Sequence, residues 1–81
     1  MTTATELHQR VRALIVAALR IDENSTEEIA KGIHPAWDSL RHIEVIFAIE
    51  DAFEVRFDAS EFPTLTDVPA IAASIMRHRE A

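Results

Sequence analysis

The chain has 81 residues, of which 48% are hydrophobic, so it predicts one domain over residues 1–81 with enough apolar side chains for a core. Fourteen acidic residues against eight Lys and Arg give a net charge of −6. This balance argues against nucleic-acid binding, which needs a basic face, and against a surface that binds anionic lipid. An acidic surface suits partner proteins that carry basic patches.

Cysteine is absent from the sequence, which excludes disulfides, cysteine-ligated zinc and a thiol nucleophile of the chain's own. The four histidines show no ligand spacing, so we expect no metal site. No apolar run approaches the roughly 18 residues of a membrane span, and the segment MTTATELHQR lacks an apolar signal core. We therefore expect a cytoplasmic protein without membrane insertion, and a monomer because the apolar positions are used internally.

A first helix is predicted over residues 6–20, where apolar residues recur at helical spacing. Thr3 and Glu6 fit a capping box at its start. The recurring apolar residues are Leu7, Val11, Leu14, Ile15 and Ala18.

A long irregular loop follows over residues 22–37. Gly32 and Pro35 prevent a long helix in this stretch. We expect Ile29 and Ile33 to anchor the loop to the core. Trp37, at its end, is interpreted as a packed loop anchor.

The strongest helix is predicted over residues 38–54, with Asp38 as N-cap and Ser39 as first helical residue. At 100° per residue from Ser39, an apolar arc between about 220° and 340° forms the core face. His42 projects into this arc and is expected to be partly buried. The apolar members of the arc are Val45, Ile46, Ile49, Ala52 and Phe53.

The opposite face of this helix is acidic, and two large apolar residues, Leu40 and Phe47, lie among its carboxylates. Charge for steering beside apolar anchors is typical of a docking surface. A solvated face with scattered apolar residues explains the same pattern, since single exposed apolar side chains are common. The acids on this face are Glu44, Glu50, Asp51 and Glu54.

The remaining chain predicts an extended connector at 55–57 that buries Phe57, then a short helix at 58–62 stopped by Pro63. A last helix is predicted over 67–78 with Thr66 as N-cap. Its inner stripe is Val68, Ile71, Ala72 and Ile75. The predicted fold class is all-α: a small four-helix bundle of three longer helices, a short helix before the last and a long first loop.

Ser39 is the residue whose position suggests chemistry. A phosphate ester on a serine at the first helical position is stabilised by the exposed amides and the positive end of the helix dipole. Asp-Ser is equally a common helix start without further function. From the residues alone, the ordinary helix start is the favoured interpretation.

The motif Asp-Ser-Leu at 38–40 resembles that of the acyl carrier protein family. The apolar pattern that follows it closes on Glu-Asp-Ala-Phe at 50–53, which resembles the family's central helix, and Thr-Leu-Thr-Asp-Val at 64–68 resembles the segment that opens its last helix. The similarity covers nearly the whole chain, and its specific part runs from about residue 37 to residue 75.

The resemblance implies a carrier, not an enzyme, and no catalytic residue is assigned. It implies that Ser39 carries a covalent 4′-phosphopantetheine taken from coenzyme A, with Asp38 and Leu40 as motif neighbours. The arm's thiol would hold an acyl or aminoacyl group as a thioester, in fatty acid, polyketide or specialised lipid biosynthesis. The implied partners are a phosphopantetheinyl transferase and acyl-loading and acyl-transferring enzymes with basic patches, bound through Leu40, Glu44, Phe47 and Asp51.

The chain departs from the family pattern near the motif. Pro35 and Ala36 stand where Leu-Gly is usual, and Arg41 stands where many members carry another acid. These differences favour a specialised carrier over the housekeeping fatty-acid role. The residues that could shape a cleft for an acyl chain, which core packing explains equally well, are Phe57, Ile71, Ala72 and Ile75.

Two other functions use the same residues. Ser39 and His42, one helical turn apart, suggest a hydrolase dyad, but the sequence has no Gly-x-Ser-x-Gly elbow and no evident oxyanion hole. The alternative to the carrier is an unmodified acidic helical adaptor that binds a basic partner through Leu40, Glu44 and Phe47.

Overall fold

The computed structural model describes residues 4–22, 24 and 28–80. Three α-helices and one 3₁₀ helix follow in chain order: α1 at Ala4–Leu19, α2 at Ser39–Phe53, the 3₁₀ helix η1 at Ala59–Thr64, and α3 at Val68–Glu80. The predicted all-α bundle with a long loop between α1 and α2 is therefore confirmed. No helix among the described residues has the length and apolar character to cross a membrane.

The core lies between α1, α2 and α3, with α1 packed against both other helices. The helical spacing read from the sequence explains this arrangement, because it places the large apolar residues of each helix on one face. Residues that are fully removed from solvent come from all three helices: Val11 and Ile15, Val45, Ile46 and Ile49, and Ile71 and Ile75.

The long loop is tied to the segment that precedes α3. The backbone N–H of Lys31 donates to the carbonyl oxygen of Thr66 at 2.8 Å, and Ala30 forms an isolated antiparallel bridge with Asp67. Ile29 is buried as expected. Ile33, expected to anchor the loop, is instead 62% exposed. Residues 30–34 form a tight turn around Gly32, whose φ of 81° favours glycine, and this turn directs Ile33 outward.

Three other predictions are corrected at element edges. Ala52 is exposed, because it projects to the rim of the core arc and its short side chain does not reach the interior. The side chain that caps α3 is Asp67, not Thr66, since Asp67 Oδ1 accepts from the N–H of Ala70 at 2.9 Å. Pro63 does not stop the short helix but lies inside η1, which ends after Thr64, where Leu65 leaves the helical conformation (φ −89°, ψ 60°).

Other predicted features agree with the structure. Phe57 is buried at the end of an irregular connector, and Trp37 is fully buried. Phe53 is buried at the end of α2, with the guanidinium groups of Arg10 and Arg79 over its ring at 4.7 and 5.3 Å from the centroid. These contacts join α1 and α3 to the end of α2. The capping box of Thr3 with Glu6 lies outside the described residues because Thr3 is not among them.

The helical projection makes a quantitative prediction for two isoleucines of α2. Ile49→Ala should lower the free energy of unfolding by about 2–5 kcal/mol, because it opens a cavity in the fully buried core. Ile43→Ala, the same change on the exposed face, should alter it by no more than about 0.5 kcal/mol. Urea denaturation followed by circular dichroism measures both, and equal losses would contradict the assignment of the faces.

Candidate functional site at the start of α2

The start of α2 is set by a side-chain cap. Asp38 adopts an extended conformation, with φ −100° and ψ −176°, and its Oδ1 accepts from the backbone N–H of Arg41 at 2.8 Å. Its carbonyl oxygen accepts from the N–H of His42 at 3.0 Å, which begins the helical ladder. The predicted N-cap and first helical residue are thereby confirmed: α2 begins at Ser39, and Ser39 is exposed.

This position favours a negatively charged group on the Ser39 hydroxyl. The first N–H groups of an α-helix have no partner within the helix, and the dipole places partial positive charge at the same end. Asp38 uses the N–H of Arg41. By helix geometry the N–H groups of Ser39 and Leu40 precede the ladder, so they could donate to an anion bound at this end of α2.

A buried aromatic pair lies behind the exposed serine. The indole N–H of Trp37 donates to Nδ1 of His42 at 3.0 Å, and His42 Nε2 lies 2.8 Å from the carbonyl oxygen of Phe62. The two rings stack with centroids 5.9 Å apart. Since the indole only donates and the carbonyl only accepts, these partners require a neutral His42 that carries its hydrogen on Nε2.

This network bears on the hydrolase interpretation. Both ring nitrogens of His42 are engaged within the protein, so neither is positioned to accept the proton of the Ser39 hydroxyl. The sequence predicted a packed Trp37 and a partly buried His42; both are buried, and the sequence did not pair them. The pair could have been predicted from one feature of the sequence: a tryptophan lies five residues before a histidine that projects onto the inner face of the next helix.

The outer face of α2 is exposed as its projection predicted. Leu40 is 82% exposed and Phe47 58%, and Glu44 and Asp51 are also on the surface. Ile43 joins them at 41% exposure, which the sequence analysis did not single out. The partner-binding role of these residues stays a prediction.

A groove opens at the C-terminal end of this face, lined by Phe47 and the segment that follows α2. Its other lining residues are Glu50, Asp51, Glu54, Val55 and Arg56. Glu50 is half-buried because its Oε2 accepts from the backbone N–H of Phe57 at 2.8 Å. Of the four acids assigned to the outer face, Glu50 therefore has a structural role in addition to its charge.

Near the serine the charge is mixed. Arg41 Nη1 lies 3.9 Å from Glu44 Oε2, and both side chains are about half exposed. An exposed pair of this kind contributes little to stability. Arg41 places a positive charge in the first turn of α2. It lines a second groove together with Leu40, Glu44 and Arg20.

Away from α2, Glu61 joins η1 to α3. Its carboxylate accepts from the backbone N–H of Asp58 at 2.8 Å and from the Ser74 hydroxyl at 2.9 Å, and it contacts His78 Nε2 at 2.9 Å. These hydrogen bonds, the one from Asp58 foremost, lower the pKa of Glu61 although partial burial opposes them. The acid lies between the serine and the histidine, so this trio is not a nucleophile with its base.

Within the described part of the chain, no group of three His, Asp or Glu side chains is arranged to hold a metal ion. No family model matches the sequence, and no solved structure matches the fold. The resemblance to acyl carrier proteins therefore rests only on the residues at 38–40, 50–53 and 64–68 that carry it.

The lowered pKa of Glu61 predicts a contribution to acid stability. Because the pKa is lower in the folded chain, the stabilisation is fully present above the unfolded pKa and is lost as the pH falls through the folded pKa. Glu61→Gln should therefore be less stable than the wild type at neutral pH, and the two should converge as the solution is acidified.

Urea titrations across a pH series test this expectation. Glu44→Gln, which removes an exposed carboxylate, provides the control and should run parallel to the wild type. A stability difference for Glu61→Gln that stays constant down to strongly acidic pH would show that its ionisation is not the cause.

Proposed function

We propose that this protein is a carrier that holds an acyl or aminoacyl group as a thioester on a 4′-phosphopantetheine arm attached to Ser39, and that it presents this group to partner enzymes. The observation that carries the proposal is the exposure of Ser39 as the first residue of α2, at the positive end of the helix dipole. The motif at 38–40 and the acidic outer face agree with it.

The residues at the start of α2 fit a phosphodiester. Ser39 is exposed and therefore accessible to an enzyme, and the first-turn amides supply partial positive charge at this end of α2. When attached, 4′-phosphopantetheine would supply a flexible arm that ends in a thiol able to hold a thioester. The chain has no cysteine of its own, so thioester chemistry requires such an imported thiol.

Loading is a transfer catalysed by a separate transferase. The Ser39 hydroxyl oxygen attacks the phosphorus of coenzyme A that bears the pantetheine, and a new phosphorus–oxygen bond forms. The pyrophosphate bond breaks, adenosine 3′,5′-bisphosphate leaves, and the hydroxyl proton passes to a base of the transferase. The carrier itself contributes an unhindered hydroxyl on a rigid helix end.

Partner recognition is assigned to the outer face of α2. The carboxylates of Glu44 and Asp51 attract and orient a basic partner surface. The exposed side chains of Leu40 and Phe47 provide apolar surface that becomes buried when the partner binds. Because the tether raises the effective concentration of cargo, moderate docking affinity suffices for transfer. The departures at Pro35 and Arg41 favour partners of a specialised pathway.

The second candidate function, an unmodified adaptor for a basic partner, is favoured by the same exposed Leu40 and Phe47 among acids. It requires no chemistry at Ser39. Modification of the serine therefore distinguishes the two functions.

Incubation with a phosphopantetheinyl transferase of broad specificity and coenzyme A should raise the intact mass by one arm. Ser39→Ala should show no mass increase, because it removes the attacking oxygen. Ser60→Ala, which changes another exposed serine at the start of a short helix, should load like the wild type. An unchanged wild-type mass with several such transferases would favour the adaptor.

The outer face makes a separate prediction. Glu44→Lys should slow loading about tenfold at low salt by reversing a steering charge, and Phe47→Ala should weaken it to a similar extent by removing an anchor. Thermal unfolding should change little, because both side chains are exposed. Loading rates measured at two salt concentrations separate the charge effect from the apolar effect.

Two matched variants control for that experiment. Glu28→Lys makes the same charge change in the long loop, and Met76→Ala removes an exposed apolar side chain from α3. Both should load at the wild-type rate. Equal slowing by all four variants would show that net charge or general surface change, and not the outer face, governs loading.

A further inference from the structure

The interior next to Ser39 is already filled. Trp37, with no exposed surface, lies directly before the cap, and its indole is stacked on and hydrogen-bonded to His42. His42 is bonded in turn to the Phe62 carbonyl of η1. An apolar chain entering the bundle here would have to displace the indole and leave buried polar groups without partners, which is costly.

The side chains that could have formed an interior cleft are core residues. Phe57, Ile71, Ala72 and Ile75 are all buried and belong to the same packed cluster as Ile46 and Ile49. Interiors packed in this way accept additional methylene groups only at the cost of strain.

An apolar surface starts beside the serine on the outside instead. Ile43 and Phe47 follow Ser39 at steps of four residues, so the three lie on one ridge of α2, and Leu40 flanks it. We call Leu40, Ile43 and Phe47 the outer stripe; they project within about 60° of one another on the helix. All three are among the large apolar side chains that the structure leaves exposed.

We propose that an apolar acyl chain tethered at Ser39 lies along the outer stripe and does not enter the bundle. The proposal rests on the proposed function for the attachment. It follows from two observations. The hydrogen-bonded Trp37–His42 pair fills the interior next to Ser39, and the outer stripe exposes apolar surface to solvent that a bound acyl chain would cover.

This arrangement has a consequence for partners. The outer stripe includes Leu40 and Phe47, which the partner surface also needs. Bound cargo and a docking enzyme therefore compete for the same residues, so a longer apolar chain weakens docking while a short or polar cargo does not.

The test compares protein loaded with an acetyl group and with a dodecanoyl group by methyl NMR. We expect chain-length-dependent shifts at the methyl groups of Leu40 and Ile43. We expect no such shifts at the methyl groups of Ile71 and Ile75, or at the Trp37 indole N–H, which a ¹H–¹⁵N spectrum of the same samples records. Chain-length-dependent shifts at Ile71, Ile75 and the indole would overturn the proposal, as would an absence of shifts at the outer stripe.

A chemical attachment keeps this test independent of the enzyme reaction. Ser39→Cys creates the sole thiol of the chain, which takes a maleimide on a flexible linker that ends in either an acetyl or a dodecanoyl group. The same methyl shifts are expected. Failure of the transferase to load the wild type would reject the proposed function, whereas the conjugate still reports where an apolar chain packs.

Matched substitutions complete the experiment. Ile43→Ser together with Phe47→Ser should abolish the chain-length-dependent shift at Leu40. Met76→Ser, an equivalent change on the exposed surface of α3, should preserve it. A persistent shift in the double variant would place the chain elsewhere on the surface.

Discussion

One hydrogen bond, from the backbone N–H of Arg41 to the Asp38 carboxylate, decides where α2 begins. Caps of this type contribute about 0.5–2 kcal/mol, but here the position matters more than the energy. Were Ser39 itself the cap, its hydroxyl would bond to a first-turn amide and would be held against the backbone. With Asp38 in that place the serine oxygen is left on the surface, and the core contacts of Ile46 and Ile49 fix which side of the helix faces outward.

The Trp37–His42 pair connects this start to the remainder of the fold. Trp37 ends the long loop, His42 belongs to α2, and the Phe62 carbonyl belongs to η1, so two hydrogen bonds join three segments directly behind the serine. These buried side chains support the start of α2 from inside, while Ser39 lies on the surface. The carrier function that we propose would benefit from this division, because the docking face must keep one shape.

The features of the site that the sequence predicted are those that depend on local pattern. The cap at Asp38, the exposure of Ser39 and the buried face of α2 follow from residue type and helical spacing. Ile33 was wrongly placed in the core because its apolar character was given more weight than the turn at Gly32, which hydrogen bonds from Ile33 and His34 to Ala30 close and which directs Ile33 outward. The pairing of indole and imidazole was not predicted, since hydrogen-bond geometry depends on how loop and helix pack together.

Top-down mass spectrometry of the protein purified from its own cells shows whether Ser39 carries the arm. We expect a population heavier by one 4′-phosphopantetheine arm, with or without cargo. Fragmentation should assign the added mass to Ser39 and to no other residue. A native protein whose Ser39 is always unmodified, or whose added mass lies on a different residue, would contradict the claim that this helix end is built to hold the arm.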